Sequence, residues 1–97
     1  MGADLEGVQG FTGRGAVEYV KWRSGARALD VALKGVAGLR ADVYADDKLA
    51  ATVSLDNGKG GRKFSTRRGD QVPELGDGAR IEIRQNGDPI LIGVLTS

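Results

Sequence analysis

The stretch "ARIEIRQNGDPILIGVLTS", residues 79–97, decides the fold class. Apolar and polar side chains alternate over 80–85, Asn86-Gly87 interrupts them, and an apolar run follows at 90–94. Alternation with a period of two is typical of a strand with one buried face. Asn-Gly suits a two-residue turn between antiparallel strands, because both of its residues readily adopt positive φ. The stretch therefore predicts a β-hairpin.

The same pattern of short apolar runs and turn residues continues toward the N-terminus, at intervals of about 8–12 residues that are typical of a sandwich or a barrel. In 27–34, for example, Leu29, Val31 and Leu33 share one face. A helix over 26–37 stays open as an alternative, because alanine and leucine favour helices. The expected strands are 16–22, 27–34, 39–45, 48–55, 62–67, 79–85 and 90–95.

These strands predict an all-β chain of about seven strands. The expected architecture is a single antiparallel β-sandwich, immunoglobulin-like in appearance, or a flattened barrel. Residues 16–97 are long enough for one domain with a modest core. Residues 1–15 contain five glycines and little apolar periodicity, so we expect a flexible, glycine-rich N-terminal arm there.

The composition excludes several kinds of chemistry. The chain has no cysteine and no histidine, so disulfides, Cys/His metal sites and histidine-based catalysis are impossible. Its only Gly-Lys, Gly58-Lys59, is followed by another glycine, which does not match a phosphate-binding P-loop. We therefore predict no catalytic residue, no cofactor, no metal centre and no enzymatic activity. Aspartates in the expected loops leave calcium binding open as an alternative.

Positive charge is concentrated in one segment. Of the 14 lysines and arginines, five lie within 59–68, where there is no acidic residue. The rest of the chain has nine basic and 13 acidic residues and is therefore net negative. The five within 59–68, called the basic rim below, are Lys59, Arg62, Lys63, Arg67 and Arg68. On a strand over 62–67, Phe64 would point inward and Lys63 and Arg67 outward, about 13 Å apart at 3.3 Å per residue. The rim is a candidate contact for a polyanion or an acidic partner, against the simpler interpretation of a solvated edge strand.

Val20 and Trp22 are the candidate residues for a protein interface. They lie on one face of the expected first strand, and that strand has few charges to protect it if it forms a sheet edge. We expect a protein partner, or a homodimer that forms through 16–22 or through the face bearing Trp22. A single aromatic residue in the basic segment and a pI of about 8.1 argue against a nucleic-acid partner.

The sequence also bears on location. No apolar run approaches the roughly 20 residues needed to cross a bilayer. The first 15 residues lack the basic and apolar regions of a signal peptide. We therefore expect a cytoplasmic protein without a membrane partner.

Three turn-rich segments give the chain a resemblance to small bacterial β-sandwich modules. They are "LDNG" (55–58), "GDQVPEL" (69–75) and "NGDPILIG" (86–93). The resemblance covers residues 16–97. It implies a β-sandwich fold, and it implies no function because its motifs are mostly turns.

The tripeptide Arg68-Gly69-Asp70 resembles the cell-adhesion motif of integrin ligands. Three residues match by chance often, and nothing else in the chain indicates an extracellular ligand. We interpret Gly69-Asp70 as a turn, since both residues are common in turns.

Overall fold

The structure, a computed structural model, describes all of residues 1–97. The chain forms eight β-strands and one short 3-10 turn. The strands are β1 (Gly2–Gly7), β2 (Arg14–Lys21), β3 (Arg27–Lys34), β4 (Arg40–Ala45), β5 (Lys48–Ser54), β6 (Lys59–Ser65), β7 (Arg80–Gln85) and β8 (Asp88–Val94), and the 3-10 turn is Thr66–Arg68. The prediction of an all-β chain is confirmed. The helical alternative for 26–37 is wrong, because β3 occupies most of that range.

All eight strands belong to one antiparallel sheet, in the order β5-β4-β7-β8-β1-β2-β3-β6. The two outermost strands, β5 and β6, are consecutive in the chain and are joined by the turn Asn57-Gly58. The bridge between them is the pair Asp56–Lys59 beside that turn, with N···O distances of 2.7 and 3.0 Å. The sheet therefore curls into a nearly closed barrel. We call the line between β5 and β6 the seam.

The expectation of a β-sandwich with an immunoglobulin-like appearance is wrong. A sandwich packs two separate sheets face to face, whereas every strand here is hydrogen-bonded into one sheet. The barrel, which was the other architecture expected, agrees with the structure. Inward and outward residues alternate in the same way in both architectures, so the sequence pattern could not separate them.

The number of strands also differs from the expectation, because β1 lies within the range assigned to a flexible arm. β1 is inside the sheet: it pairs with β2 over five residues and with β8 at Glu6 and Gly7. Ala3 and Leu5 point inward and are buried. Residues 2–7 are therefore part of the barrel wall, and the sheet has eight strands instead of seven.

The predicted hairpin at 79–97 is confirmed as β7 and β8. Its turn residues, Asn86 and Gly87, have φ of 52° and 83°, as a two-residue hairpin turn requires. Asp46-Asp47 and Asn57-Gly58 also have positive φ at both residues. Local turn chemistry therefore sets three of the strand connections.

One hydrophobic cluster of 21 buried residues fills the barrel. Tyr19 on β2 is the largest fully buried side chain. Its hydroxyl donates to the carbonyl of Pro73 and accepts from the amide of Leu75, at 3.1 Å each. These bonds tie the irregular segment 70–75 to the barrel, and Val72 of that segment is buried.

The structure contains no helix with the length and hydrophobicity needed to cross a bilayer.

Candidate functional site

The residues singled out in the sequence lie on or next to β2 and β6, with β3 between these two strands. Val20 and Lys63 point outward, whereas Arg62 is opposite the buried Val31. Strand register places Val20 opposite Ala28 and Ala28 opposite Ser65. The next outward positions are Glu18, Asp30 and Lys63, again in one line across the three strands. We call this surface the outer face. It joins the candidate interface on β2 to the basic strand β6, although 37 residues of β-hairpins and loops separate the end of β2 from the start of β6.

The centre of the candidate site is a group that we call the Trp22 patch, formed by Val20, Trp22 and Arg67. The guanidinium carbon of Arg67 lies 4.3 Å from the centroid of the Trp22 ring, within the range of a cation–π contact. Val20 is 42% exposed and Trp22 is 37% exposed. The patch therefore presents an aromatic ring, a branched aliphatic side chain and a cation to solvent at one place.

Arg67 reaches Trp22 because the strand that carries the basic rim ends earlier than expected. β6 stops at Ser65, and Arg67 lies in the 3-10 turn instead of on a strand over 62–67. The Ser65 hydroxyl accepts from the Arg67 amide at 3.2 Å and caps this turn. The expected outward pair Lys63 and Arg67 is therefore not a pair on one strand.

The basic rim is broken up by one acidic residue that follows it. Asp70 approaches Arg62 and Arg68 at 3.9 and 3.5 Å. Its carboxylate also accepts from the Ser65 amide at 2.9 Å. Arg62 stacks on Phe64, which is buried as expected, with 4.9 Å between the guanidinium carbon and the ring centroid. Lys63 is opposite Asp30 on β3.

The Arg68-Gly69-Asp70 tripeptide adopts a turn. Gly69 has a φ of 87° and ends the 3-10 turn. The Asp70 carboxylate is held by the contacts just described, and the Arg68 guanidinium donates to the Lys63 carbonyl. Both charged groups of the tripeptide are therefore engaged within the chain.

A second group of cations, which we call the cation row, comprises Arg14, Lys34 and Lys59. They occupy directly opposite positions on β2, β3 and β6 and point outward. All three are exposed, and none forms an ion pair. Only Lys59 was singled out in the sequence. The other two are far apart in the chain, and strand register alone brings them together.

A further charged cluster lies on the outside of β4 and β7, where Arg84 contacts Glu82 at 3.1 Å, pairs with Asp47, and stacks on Tyr44 at 4.0 Å. The hydrogen bond from Arg84 to Asp47 is the main cause that raises the pKa of this arginine, followed by its bond to Glu82. At the end of β2, the hydrogen bond from Lys21 lowers the pKa of the Glu74 carboxyl. These charged side chains pair with one another at the surface.

Among the loop aspartates that left calcium binding open, Asp46 and Asp77 accept hydrogen bonds from backbone amides. Asp46 accepts from the Arg80 amide at 2.9 Å, and Asp77 accepts from the Ser97 amide at 3.0 Å. No group of three acidic side chains lies close enough together to hold a metal ion.

The structure limits one of the two routes to the expected homodimer. β3 pairs with one side of β2 along its whole length, and β1 pairs with the other side from Arg14 to Glu18, so 16–18 is not a free sheet edge and only 20–22 extend beyond β1. The face bearing Trp22 stays available.

A scan against models of known protein families gives no match to this chain, and a search of curated proteins finds no significant relative.

Proposed function

We propose that this chain is a non-enzymatic protein-interaction module that associates with a second copy of itself through the Trp22 patch. The observation that carries this proposal is the exposure of Val20 near the end of β2 and of Trp22 directly after that strand, with Arg67 stacked on the indole ring. Tryptophan and arginine are the residue types that most often dominate binding energy at protein interfaces. The stacked arginine also limits the motion of both side chains before binding, which lowers the entropy cost of association.

The charges beside the Trp22 patch favour a second copy as the partner. Glu18 and Asp30 occupy the same outward line as Lys63. In a two-fold contact, the same surface on both copies must be complementary to itself. A face that carries acidic and basic side chains next to an apolar centre meets that requirement, because the acids of one copy can face the cations of the other.

Sedimentation of the wild type at several concentrations tests the proposal, together with two matched variants. Val20→Lys places a charge in the Trp22 patch, and Val94→Lys places the same charge on the outside of β8, at a valine of similar exposure. We expect the wild type and Val94→Lys to dimerise with rising concentration and Val20→Lys to stay monomeric. A wild type that is monomeric at every concentration, or a Val20→Lys variant that still dimerises, would overturn the proposal.

A second candidate function is polyanion binding through the basic rim. It is favoured by the stacking of Arg67 on Trp22, which puts an exposed aromatic ring beside the rim, as surfaces that bind single-stranded nucleic acid often have. Against it, Asp70 neutralises part of the rim through Arg62 and Arg68. The number of free cations on the rim is therefore smaller than the sequence indicates.

Retention on heparin at increasing salt concentration distinguishes this second function. If the rim binds polyanions, the double variant Lys63→Glu/Arg67→Glu elutes at lower salt than the control Arg40→Glu/Lys48→Glu, which changes the net charge equally on β4 and β5. Phosphate and sulfate contacts make such binding steeply salt-dependent. Equal elution of the two double variants would show that net charge alone controls retention, and it would exclude the rim as a site.

A further inference from the structure

We propose that the cation row, formed by Arg14, Lys34 and Lys59, binds a phosphate-rich anion. The row lies about 26 Å from Trp22, since Trp22, directly after β2, is eight positions along the chain from Arg14 at about 3.3 Å per residue. The proposal is therefore independent of the Trp22 patch and of the dimer.

The three cations of the row repel one another. Side chains that are directly opposite on neighbouring antiparallel strands lie about 4.5–5.5 Å apart at Cβ, and like charges in such positions destabilise the sheet. Lys34 has a cation on each side, Arg14 on β2 and Lys59 on β6. Two unfavourable pairs therefore meet at one residue. An anion bound across the row would turn this repulsion into attraction.

Acidic residues lie only at the two ends of the row. Glu6 on β1 is opposite Arg14, and Asp56 is opposite Lys59 across the turn. Neither of them forms an ion pair with the row. Both lie at its ends, so Lys34 at the centre has no acidic neighbour in its own line across the strands.

Small residues beside the row leave room for an anion. The next outward line across the same strands toward Trp22 consists of Ala16, Ala32 and Gly61, all of them exposed. No side chain there is larger than a methyl group, so an anion can lie against the sheet beside the three cations. Because neighbouring strands are about 4.8 Å apart, the row is about 10 Å long. A linear oligophosphate can contact all three cations, whereas a single phosphate can contact two.

Thermal unfolding with sodium tripolyphosphate, and separately with inorganic phosphate, at constant ionic strength tests the proposal. We expect the wild-type Tm to rise with either anion, and at lower concentration with tripolyphosphate, because a ligand that binds only the folded state stabilises it. Lys34→Gln should weaken tripolyphosphate binding about tenfold, as expected for the loss of one charge-assisted contact. Arg40→Glu is the control, because Arg40 is opposite the neutral Ser54.

Lys34→Glu gives a second readout that a merely solvated surface would not give. It places an acid between two cations, so without phosphate its Tm should rise by roughly 2–8 °C, from two favourable cross-strand pairs in place of two unfavourable ones. The same variant should lose the response to tripolyphosphate. The proposal is overturned if the wild type shows no response, if Lys34→Gln and Lys34→Glu respond as the wild type does, or if Arg40→Glu loses the response equally.

Discussion

Asp70 is the residue with the most varied contacts at the end of β6. Its carboxylate accepts from the Ser65 amide and lies beside Arg62 and Arg68, while its own amide donates to the Ser65 carbonyl at 3.1 Å. Ser65 is the last residue of an outermost strand. Asp70 therefore occupies backbone groups of β6 that would otherwise be open to another chain.

Replacing Asp70 by asparagine tests this role. We expect Asp70→Asn to lower the free energy of unfolding by about 1–2 kcal/mol, because a charge-assisted bond to a backbone amide is replaced by a weaker neutral one. Urea unfolding of the variant measures the change. Asp88→Asn serves as the control, because no hydrogen bond or ion pair involves the Asp88 side chain. Equal loss in both variants would show that the contacts of Asp70 do not contribute.

The sequence identified the individual residues of the Trp22 patch but not their association. Val20 and Trp22 could be placed on one face from alternation alone. The position of Arg67 depends on where β6 ends, and that depends on the cap by Ser65 and on the contacts of Asp70. The Ser65 cap and the Asp70 contacts are hydrogen bonds and ion pairs that form only in the folded chain. The alternation of apolar side chains in the sequence therefore carries no information on them.

At the scale of elements, seven of the eight strands were predicted, six of them from apolar alternation and β6 from the turn that precedes it. β3 has the predicted bounds, and the strands that form the 79–97 hairpin differ from the prediction by one or two residues. β1 was missed because its sequence, "GADLEG", contains only two apolar side chains besides its glycines. Its strand conformation depends on hydrogen bonds to β2 on one side and to β8 on the other, and these are long-range contacts.

The segment 70–75 is an element without regular structure, and Tyr19 attaches it to the barrel. We expect Tyr19→Phe to keep the core packed and to lose about 1–2 kcal/mol of unfolding free energy, since two hydrogen bonds at the hydroxyl are removed. Hydrogen exchange should accelerate at Leu75, whose amide donates to that hydroxyl. Unchanged exchange at Leu75 would contradict the attachment. Tyr44→Phe, with the stacked Arg84 in place, is the matched control.

At the scale of the whole molecule, closure of the barrel depends on tight contact across the seam. A Cβ added at Gly60 would lie 2.4 Å from the Ser54 carbonyl oxygen and 2.7 Å from a methyl carbon of Leu55. The backbones of β5 and β6 therefore come together there because residue 60 has no side chain. Closure could not be predicted from alternation, which is the same in open and closed sheets.

Gly60→Ala tests the closure. The added methyl must push the two strands apart, and we expect a loss of about 1–3 kcal/mol, the usual cost of overpacking. Gly76→Ala is the control, because an added Cβ there meets no atom within 4 Å and the backbone does not have positive φ. Guanidinium unfolding of both variants gives the comparison. A Gly60→Ala variant as stable as Gly76→Ala would show that the seam tolerates separation.

The position of β1 between β8 and β2 has a consequence for the rate of folding. Gly2 exchanges two backbone hydrogen bonds with Thr96, at 2.9 and 3.0 Å, so this part of the barrel wall forms only when residues from the two ends of the sequence meet. Proteins dominated by such distant pairings fold slowly, in milliseconds to seconds. A circular permutant that links residue 97 to residue 1 by a short flexible segment and opens the chain between Ala37 and Gly38 makes that pairing local, and β3–β6 is the one strand pair that it makes more distant in the chain. Stopped-flow refolding should be faster for the permutant than for the wild type, and an equal rate would mean that the pairing of β1 with β8 forms only after the rate-limiting step.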